Sequence, residues 1–388
     1  MALHRHFLLI LVATLGATPA SAQSTQIAAI DENYRALVET SSRVLGLDYA
    51  SEVFVSENGG QSFTPLSTLS SDPKDTYYSM ASLGNTVIAV GTDGLIARSA
   101  NEASSWTASV NTDFFFGNLR TVAGRPNTTN TWISAGGDGS EGVILRSADD
   151  GATWTKLTGI SDLSFSGSVW TESAWLVCGL DDLSFEGVMY RSTDDGLTWS
   201  PVTLPNAIAP LRGLATDGAG NVIAVGESGT VLYSSNHGQT FVQSGAGLLS
   251  EDLLVAVAVG TNEFVVGGNG KSLLQTQGAS LSIIREPVGG APEVESLLFV
   301  DGTVLVGGEF SSEIKRSLPF SLNIIEVGSS FQLSIDQILS GKTYTLQTST
   351  DLEDWVPVAN SSLAGLGGPL VWVQSKNGPR RFWRVEEY

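Results

Sequence analysis

One cysteine and three histidines in 388 residues leave little for thiol, imidazole or soft-metal chemistry. Cys178 has no second cysteine to pair with, so no internal disulfide can form. Its neighbours, Trp175-Leu176-Val177-Cys178-Gly179, read as a buried strand, which makes it an inert core thiol. His4 and His6 lie at the very start, and His237 is the single histidine downstream. A Ser-His-Asp or Cys-His apparatus cannot be assembled around it, nor can a zinc site of the usual His/Cys kind. Positive charge is scarce as well. Twenty Lys and Arg face 40 Asp and Glu, a formal net charge of −20. Such a chain has no basic surface to offer nucleic acid or an anionic membrane. Acidity of this degree suits a soluble protein outside the cytoplasm.

Long apolar runs are also missing past the first segment. That segment has Arg5 as a positive start, an apolar stretch from Phe7 to Ala17, and Ala20-Ser21-Ala22 as a small-residue cleavage site. The expectation is a signal peptide over 1–22 and an exported chain, periplasmic or extracellular, beginning near Gln23. No cysteine follows the apolar stretch to carry a lipid, and no later run approaches the ~20 apolar residues of a membrane span.

What the chain does have is a recurring phrase. SADDGATW at Ser147–Trp154 and STDDGLTW at Ser192–Trp199 are two full copies of Ser-x-Asp-x-Gly-x-Thr-Trp. Weaker copies are SENGGQSF at Ser56–Phe63, SANEASSW at Ser99–Trp106 and SSNHGQTF at Ser234–Phe241. The starting serines lie 43, 48, 45 and 42 residues apart. A period in the forties with strand-like flanks is the mark of a β-propeller with one four-stranded sheet per repeat. Before each phrase an apolar strand ends in glycine, as in Val87–Gly91, Trp132–Gly136 and Val222–Gly226, and a second strand follows. In the phrase itself, the Asp or Asn side chain can hold a turn by bonding nearby amides. The Gly permits positive φ. The Trp is placed to bury its ring between neighbouring sheets.

Two decayed copies extend the register, one at Thr276 with Ile283 and one at Ser317 with Ile324. The fold class is therefore all-β: a seven-bladed β-propeller over 23–327, with six or eight blades also compatible with the spacing. Two closures of the ring stay open: Phe320–Val327 completing the last sheet, or Gln26–Ile30 adding a strand to it. Residues 328–388 lack the repeat and read as a small β-sandwich-like module, with strand patterns at Phe331–Ile335, Tyr344–Thr348, Trp355–Val358, Leu370–Val373 and Phe382–Val385.

The repeated phrase resembles the Asp-box, or BNR repeat. With Val-Gly strand ends and Arg-Ser before the box, the chain resembles the family of photosystem II stability/assembly factors and their exported bacterial relatives. The tail, from Tyr344-Thr345-Leu346-Gln347-Thr348 through Trp355 to Phe382-Trp383-Arg384-Val385, resembles a fibronectin-like module that ends many secreted bacterial proteins. Sialidases, sortilin-type receptors and xyloglucanases carry Asp-boxes too, so the resemblance speaks to fold before function. It implies that Ser147, Asp149, Gly151, Trp154, Ser192, Asp194, Gly196 and Trp199 are structural, and that ligands use the opposite face.

On that opposite face, Arg35, Arg120 and Arg212 each precede an innermost strand. If they converge at the channel mouth, they suit a carboxylate or an acidic peptide. Asp113-Phe114-Phe115-Phe116-Gly117 puts three phenylalanines in one connecting loop, which cannot bury all of them, and Phe165 and Phe185 sit in loops that extend this patch. The acidic insertions Gly137–Gly142 and Leu180–Glu186 offer carboxylates without the spacing of a calcium loop. No catalytic residue, metal or cofactor is assigned. The expected function is a non-catalytic, monomeric, exported propeller that binds or helps assemble a protein or peptide partner. The alternatives are a sialidase-like glycoside hydrolase, which lacks an assignable Tyr–Glu pair and an early Arg-Ile-Pro element, and a surface carbohydrate-binding protein.

Overall fold

Short runs of Val, Ile, Leu and aromatic residues, broken every few positions by Gly, Asn and Asp, pair as antiparallel strands. The computed structural model describes residues 34–110 and 117–244 apart from 71, 73, 127–128, 139 and 206–207. It also describes most of 250–308, the strands within 322–387, Leu11–Val12 and Gln26–Ala29. Strands and turns dominate, and no helix among the described residues is long and apolar enough to cross a membrane. The chain divides into two compact units, Ile27–Arg316 and a second one made of Met1–Gln26 with Ser317–Tyr388.

The described residues of the first unit carry seven antiparallel sheets, the first six of them four-stranded meanders in chain order. Sheet 1 runs from Tyr34–Glu39 to Thr64–Thr68, and sheet 2 from Tyr77–Leu83 to Thr107–Val110. Sheet 3 runs from Asn118–Arg125 to Thr155–Ser161, and sheet 4 from Leu163–Trp170 to Ser200–Pro201. Sheet 5 runs from Leu211–Thr216 to Val242–Gln243, and sheet 6 from Leu253–Gly260 to Ser280–Pro287. Sheet 7 pairs Ser296–Val300 with Thr303–Gly307, and its third strand is Gln26–Ala29. First strands of successive sheets touch, and that of sheet 7 touches that of sheet 1.

The last sheet thus takes the N-terminal of the two closures left open by the sequence. Leu322–Val327 pairs with Ser330–Ile335 in the second unit instead. Two residues separate those strands, and closing so short a connection costs less chain entropy than closing a long one. Ile324 therefore holds no aromatic-column place in the ring, and Ser317 lies outside the described residues. Thr276 does keep its register. It pairs with Phe264 as Ser147 pairs with Trp132 and Ser192 with Trp175.

The core lies between neighbouring sheets. Ile88 and Val90 of sheet 2 pack with Trp132, Val143 and Leu145 of sheet 3, and the half-buried Trp154 covers them. Trp199 does the same between sheets 3 and 4, and Phe241 between sheets 4 and 5. The phrase that carries these rings forms one turn, repeated. Ser147 Oγ bonds Asp149 Oδ1 at 2.8 Å and accepts the amide of Gly151 at 2.9 Å. Asp149 accepts the Thr153 amide and hydroxyl at 2.9 and 2.6 Å, and Trp154 Nε1 donates to the Gly151 carbonyl at 3.1 Å. Ser192, Asp194, Gly196, Thr198 and Trp199 repeat every one of these bonds. Asn58, Asn101 and Asn236 take the Asp position in the weaker copies, each bonded to its serine at 2.8 Å.

A second device, which the sequence pattern does not reveal, ties three of these turns to the sheet before. The residue after the turn Asp points backwards. Asp150 accepts Arg98 Nη2 at 2.9 Å and Thr86 Oγ1 at 2.6 Å. Asp195 accepts Arg146 Nη2 at 2.7 Å and Arg125 Nη1 at 2.5 Å. At the next turn His237 offers its carbonyl to Arg191 Nε at 3.0 Å, so this histidine is part of a structural clamp. Burial pushes the Cys178 thiol up to about 12, in keeping with an inert core position.

The second unit has two antiparallel sheets. One orders Leu322–Val327, Ser330–Ile335 and Leu370–Ser375; the other is built on Thr343–Ser349 and Phe382–Glu387, with the short strands Val356–Pro357, Leu363–Ala364 and Leu11–Val12. Apart from Leu11–Val12, the expected signal segment lies outside the described residues.

Candidate functional site

The first strand of every four-stranded sheet is interrupted near its start. The pairing skips one residue, a β-bulge, between Tyr34 and Ala36, Tyr77 and Ser79, Leu119 and Thr121, Phe165 and Gly167, Leu211 and Gly213, and Leu253 and Val255. The skipped residues are Arg35, Tyr78, Arg120, Ser166, Arg212 and Leu254. In sheet 7 Glu295 holds the same place, its amide donating to the Gly307 carbonyl at 3.0 Å. A bulge re-aims the extra side chain and bends the strand.

The bulge explains the glycine near the end of the second strand in sheets 2 to 7. Gly136 faces Leu119 across the ladder, and a Cβ there would fall within 3.0 Å of the Asn118 carbonyl. Gly91, Gly179, Gly226, Gly268 and Gly308 are in the same position against the carbonyl that precedes their bulge. A side chain at any of these six glycines would have to displace that carbonyl, whereas in sheet 1 Asp48 holds the equivalent place opposite Tyr34. The Val-Gly strand ends are therefore a sequence signal for the bulge one strand earlier. They point to Tyr78, Ser166, Leu254 and Glu295 as well as to Arg120 and Arg212, but not to Arg35, whose strand faces Asp48.

All seven of these residues line one cavity of about 790 Å³. In a meander the start of the first strand and the connection between second and third strands share one side, and the repeated turns between third and fourth strands lie on the other. The arginines and the turns are thus on opposite faces. Arg120 lies 4.1 Å from the Tyr78 ring centroid and is exposed. Arg35 lies 4.2 Å from the Tyr49 ring and 5.2 Å from Tyr78, bonds the Tyr77 carbonyl at 3.3 Å, and approaches Glu295 at 3.9 Å. Arg212 is ion-paired with Glu227. The expectation of three converging arginines and the plainer one of arginines paired with acids both describe part of this mouth. Asp138, Asp252 and Glu293 also line it, so three guanidinium groups stand against five carboxylates.

The aromatic patch needs correction. Phe165 is not in a loop. It is buried in the first strand of sheet 4, edge-on to Tyr190 at 5.9 Å, because the bulge turns Ser166 and not Phe165 into solvent. Phe185 is 68% exposed with φ of 57°, beside Leu183 at 74%. Phe114, Phe115 and Phe116 lie outside the described residues. In the acidic insertions the carboxylates serve their own loops. Asp181 accepts the amides of Ser184 and Leu183, and Asp138 the Ser140 hydroxyl and the amides of Ser140 and Glu141; these bonds hold both below the usual carboxylate range.

No protein-family model and no curated protein matches the sequence. Several solved structures do resemble this one. The structure of YCF48 bound to D1 peptide is 14% identical with a TM-score of 0.56, over 75% of this chain and 94% of that one. YCF48 from Cyanidioschyzon merolae is 13% identical with a TM-score of 0.52, over 75% and 97%. The WD40 β-propeller domain of Doa1 is 13% identical with a TM-score of 0.53, over 73% and 92%. At such identities the likeness is one of fold, and the fold is an all-β propeller.

Proposed function

We propose that this chain is an exported, non-catalytic β-propeller of seven blades, built on Asp-box turns and followed by a small β-sandwich-like module, that binds a protein or peptide partner at its channel mouth. The observation that carries this reading is the ring of bulges. Six equivalent backbone kinks aim side chains at one cavity, and three of the six are arginines. Guanidinium groups pair with carboxylates in a planar, two-pronged way, so the mouth suits a peptide with an acidic side chain or a free C-terminus. YCF48, whose solved structure has a D1 peptide bound, lends support as a propeller of the same fold that holds a peptide. The signal-like start supports export.

The sialidase-like and carbohydrate-binding alternatives fare less well. Two guanidinium groups already stack on the Tyr78 ring, the aromatic side chain a glycan or a nucleophilic role would require. The test is retention of peptides from a digest of envelope proteins on the immobilised chain. Wild type is expected to retain a defined set that the Arg35→Ala, Arg120→Ala, Arg212→Ala triple variant loses while keeping its fold by circular dichroism. Equal retention by both, or turnover of a fluorogenic sialoside, would overturn the reading.

A further inference from the structure

The charges of the mouth divide by arc. Sheets 1 to 3 bring Arg35, Tyr78 and Arg120 with one acid, Asp138; sheets 5 to 7 bring Glu227, Asp252, Glu293 and Glu295 with one base, Arg212. Part of this charge is matched internally, Arg212 by Glu227 and Arg35 by Glu295. Others have no ion pair among the described residues. Arg120 has no carboxylate partner; its contact is the Tyr78 ring. Asp252 has no cationic partner; its Oδ1 accepts the Ser228 amide at 2.9 Å. Asp138, on the same arc as Arg120, directs its Oδ1 to the Ser140 amide and hydroxyl and the Glu141 amide. In a ring of seven, sheet 3 faces the junction of sheets 6 and 7 across the channel. Arg120 and Asp252 therefore stand on opposite walls of the same cavity.

An all-acidic ligand would meet Arg120 but also an excess of carboxylates. An all-basic one would meet Asp252 but be opposed by Arg120. Like charges placed opposite one another select strongly against a partner, and complementary ones set its register. We propose that the mouth recognises a dipolar peptide segment, its carboxylate on Arg120 over Tyr78 and its ammonium or guanidinium group toward Asp252. This deepens the peptide-binding function proposed above and rests on it.

The experiment is fluorescence anisotropy of the full chain with three labelled peptide pools of equal length and capped termini. On one neutral background, the first pool carries glutamate alone, the second lysine alone, and the third one glutamate and one lysine at varied spacing. The mixed pool is expected to bind about fivefold tighter than either other pool, the worth of one well-placed exposed ion pair. Arg120→Ala should weaken the mixed and acidic pools. Asp252→Asn, which keeps the acceptor for Ser228, should erase the advantage of the mixed pool over the acidic one. A mixed pool no tighter than the acidic pool, or an advantage that survives Asp252→Asn, overturns the dipolar assignment. If the acidic pool binds best and Arg120→Ala abolishes it, peptide binding stands while the dipolar assignment falls. If no pool binds, or Arg120→Ala changes nothing, both fall together.

Discussion

On one face of the ring, Ser147, Asp149, Gly151 and Trp154 recur letter for letter as Ser192, Asp194, Gly196 and Trp199. On the other, the equivalent bulge positions hold Arg35, Tyr78, Arg120, Ser166, Arg212 and Leu254. The turn face repeats because each copy solves the same local problem. A serine and an aspartate satisfy the turn amides, a glycine takes positive φ, and a tryptophan closes the seam between sheets. The mouth face keeps its backbone repeat, with a glycine against the bulge in sheets 2 to 7, and lets the side chains differ. Repetition in this molecule marks architecture, and variety at a repeated backbone position marks the surface free to recognise something.

The sharpest way to break that contrast is to attack the mouth through its backbone. Gly136→Val would set a side chain against the Asn118 carbonyl, and it should cost about 3–5 kcal/mol, the upper end of single-residue effects. An unchanged urea midpoint would show that the bulge is dispensable. Next comes the clamp on the turn face. Asp195→Ala strands Arg125 and Arg146 together and should cost about 2–3 kcal/mol, part of it the penalty for leaving half-buried guanidinium groups unpaired. Asp194→Ala, at an exposed position, should cost about 1 kcal/mol by the worth of its turn bonds. Equal losses for the two would deny the clamp its separate role.

The turn carboxylates also set a pH dependence. The Thr198 hydroxyl and amide hold the Asp194 carboxyl down at about 2 against an ordinary 3.8. At Asp195 burial pushes upward, but Arg146, Arg125 and Thr131 outweigh it, and the group also sits low. A depressed folded-state pKa contributes stability above the ordinary carboxylate value and loses it as pH falls through the folded one. Denaturation midpoints should therefore hold from pH 7 to about 4 and drop toward 2, with a shallower drop in Asp194→Asn. A midpoint flat to pH 2 would contradict these bonds. Arg120→Ala is the opposite kind of change. It should alter stability by less than about 0.5 kcal/mol, as befits an exposed side chain, while removing ligand. The smallest effect belongs to Ala103→Gly. Ala103 takes the glycine place of its turn at φ of 65°, and relief of that strain nearly offsets the lost burial of its methyl, leaving less than about 0.5 kcal/mol either way.

Much of the turn face was legible because its causes are local. Ser-x-Asp-x-Gly-x-Thr-Trp contains its own hydrogen-bond partners within eight residues, so spacing alone reveals the turn. The backward reach of Asp150 to Arg98 spans 52 residues, and nothing near Asp150 in sequence names its partner. Phe165 was misread for a related reason. A one-residue slip in register exchanges the buried and exposed sides, and only the pairing with Gly179 shows on which side of the bulge it falls. The three arginines were found by their place before an inner strand. The acids that share their cavity come from other connections, and spacing says nothing of them.

The amino-acid order by itself determined the strand–turn period, the all-β class and the positions of the arginines, since each depends on residues close along the chain. Tertiary structure decided which strand closes the ring, which side chains the bulges aim at the mouth, and that its arginines meet five carboxylates. Those outcomes depend on pairings between residues far apart along the chain, and on carbonyls that occupy the space a glycine leaves empty one strand away.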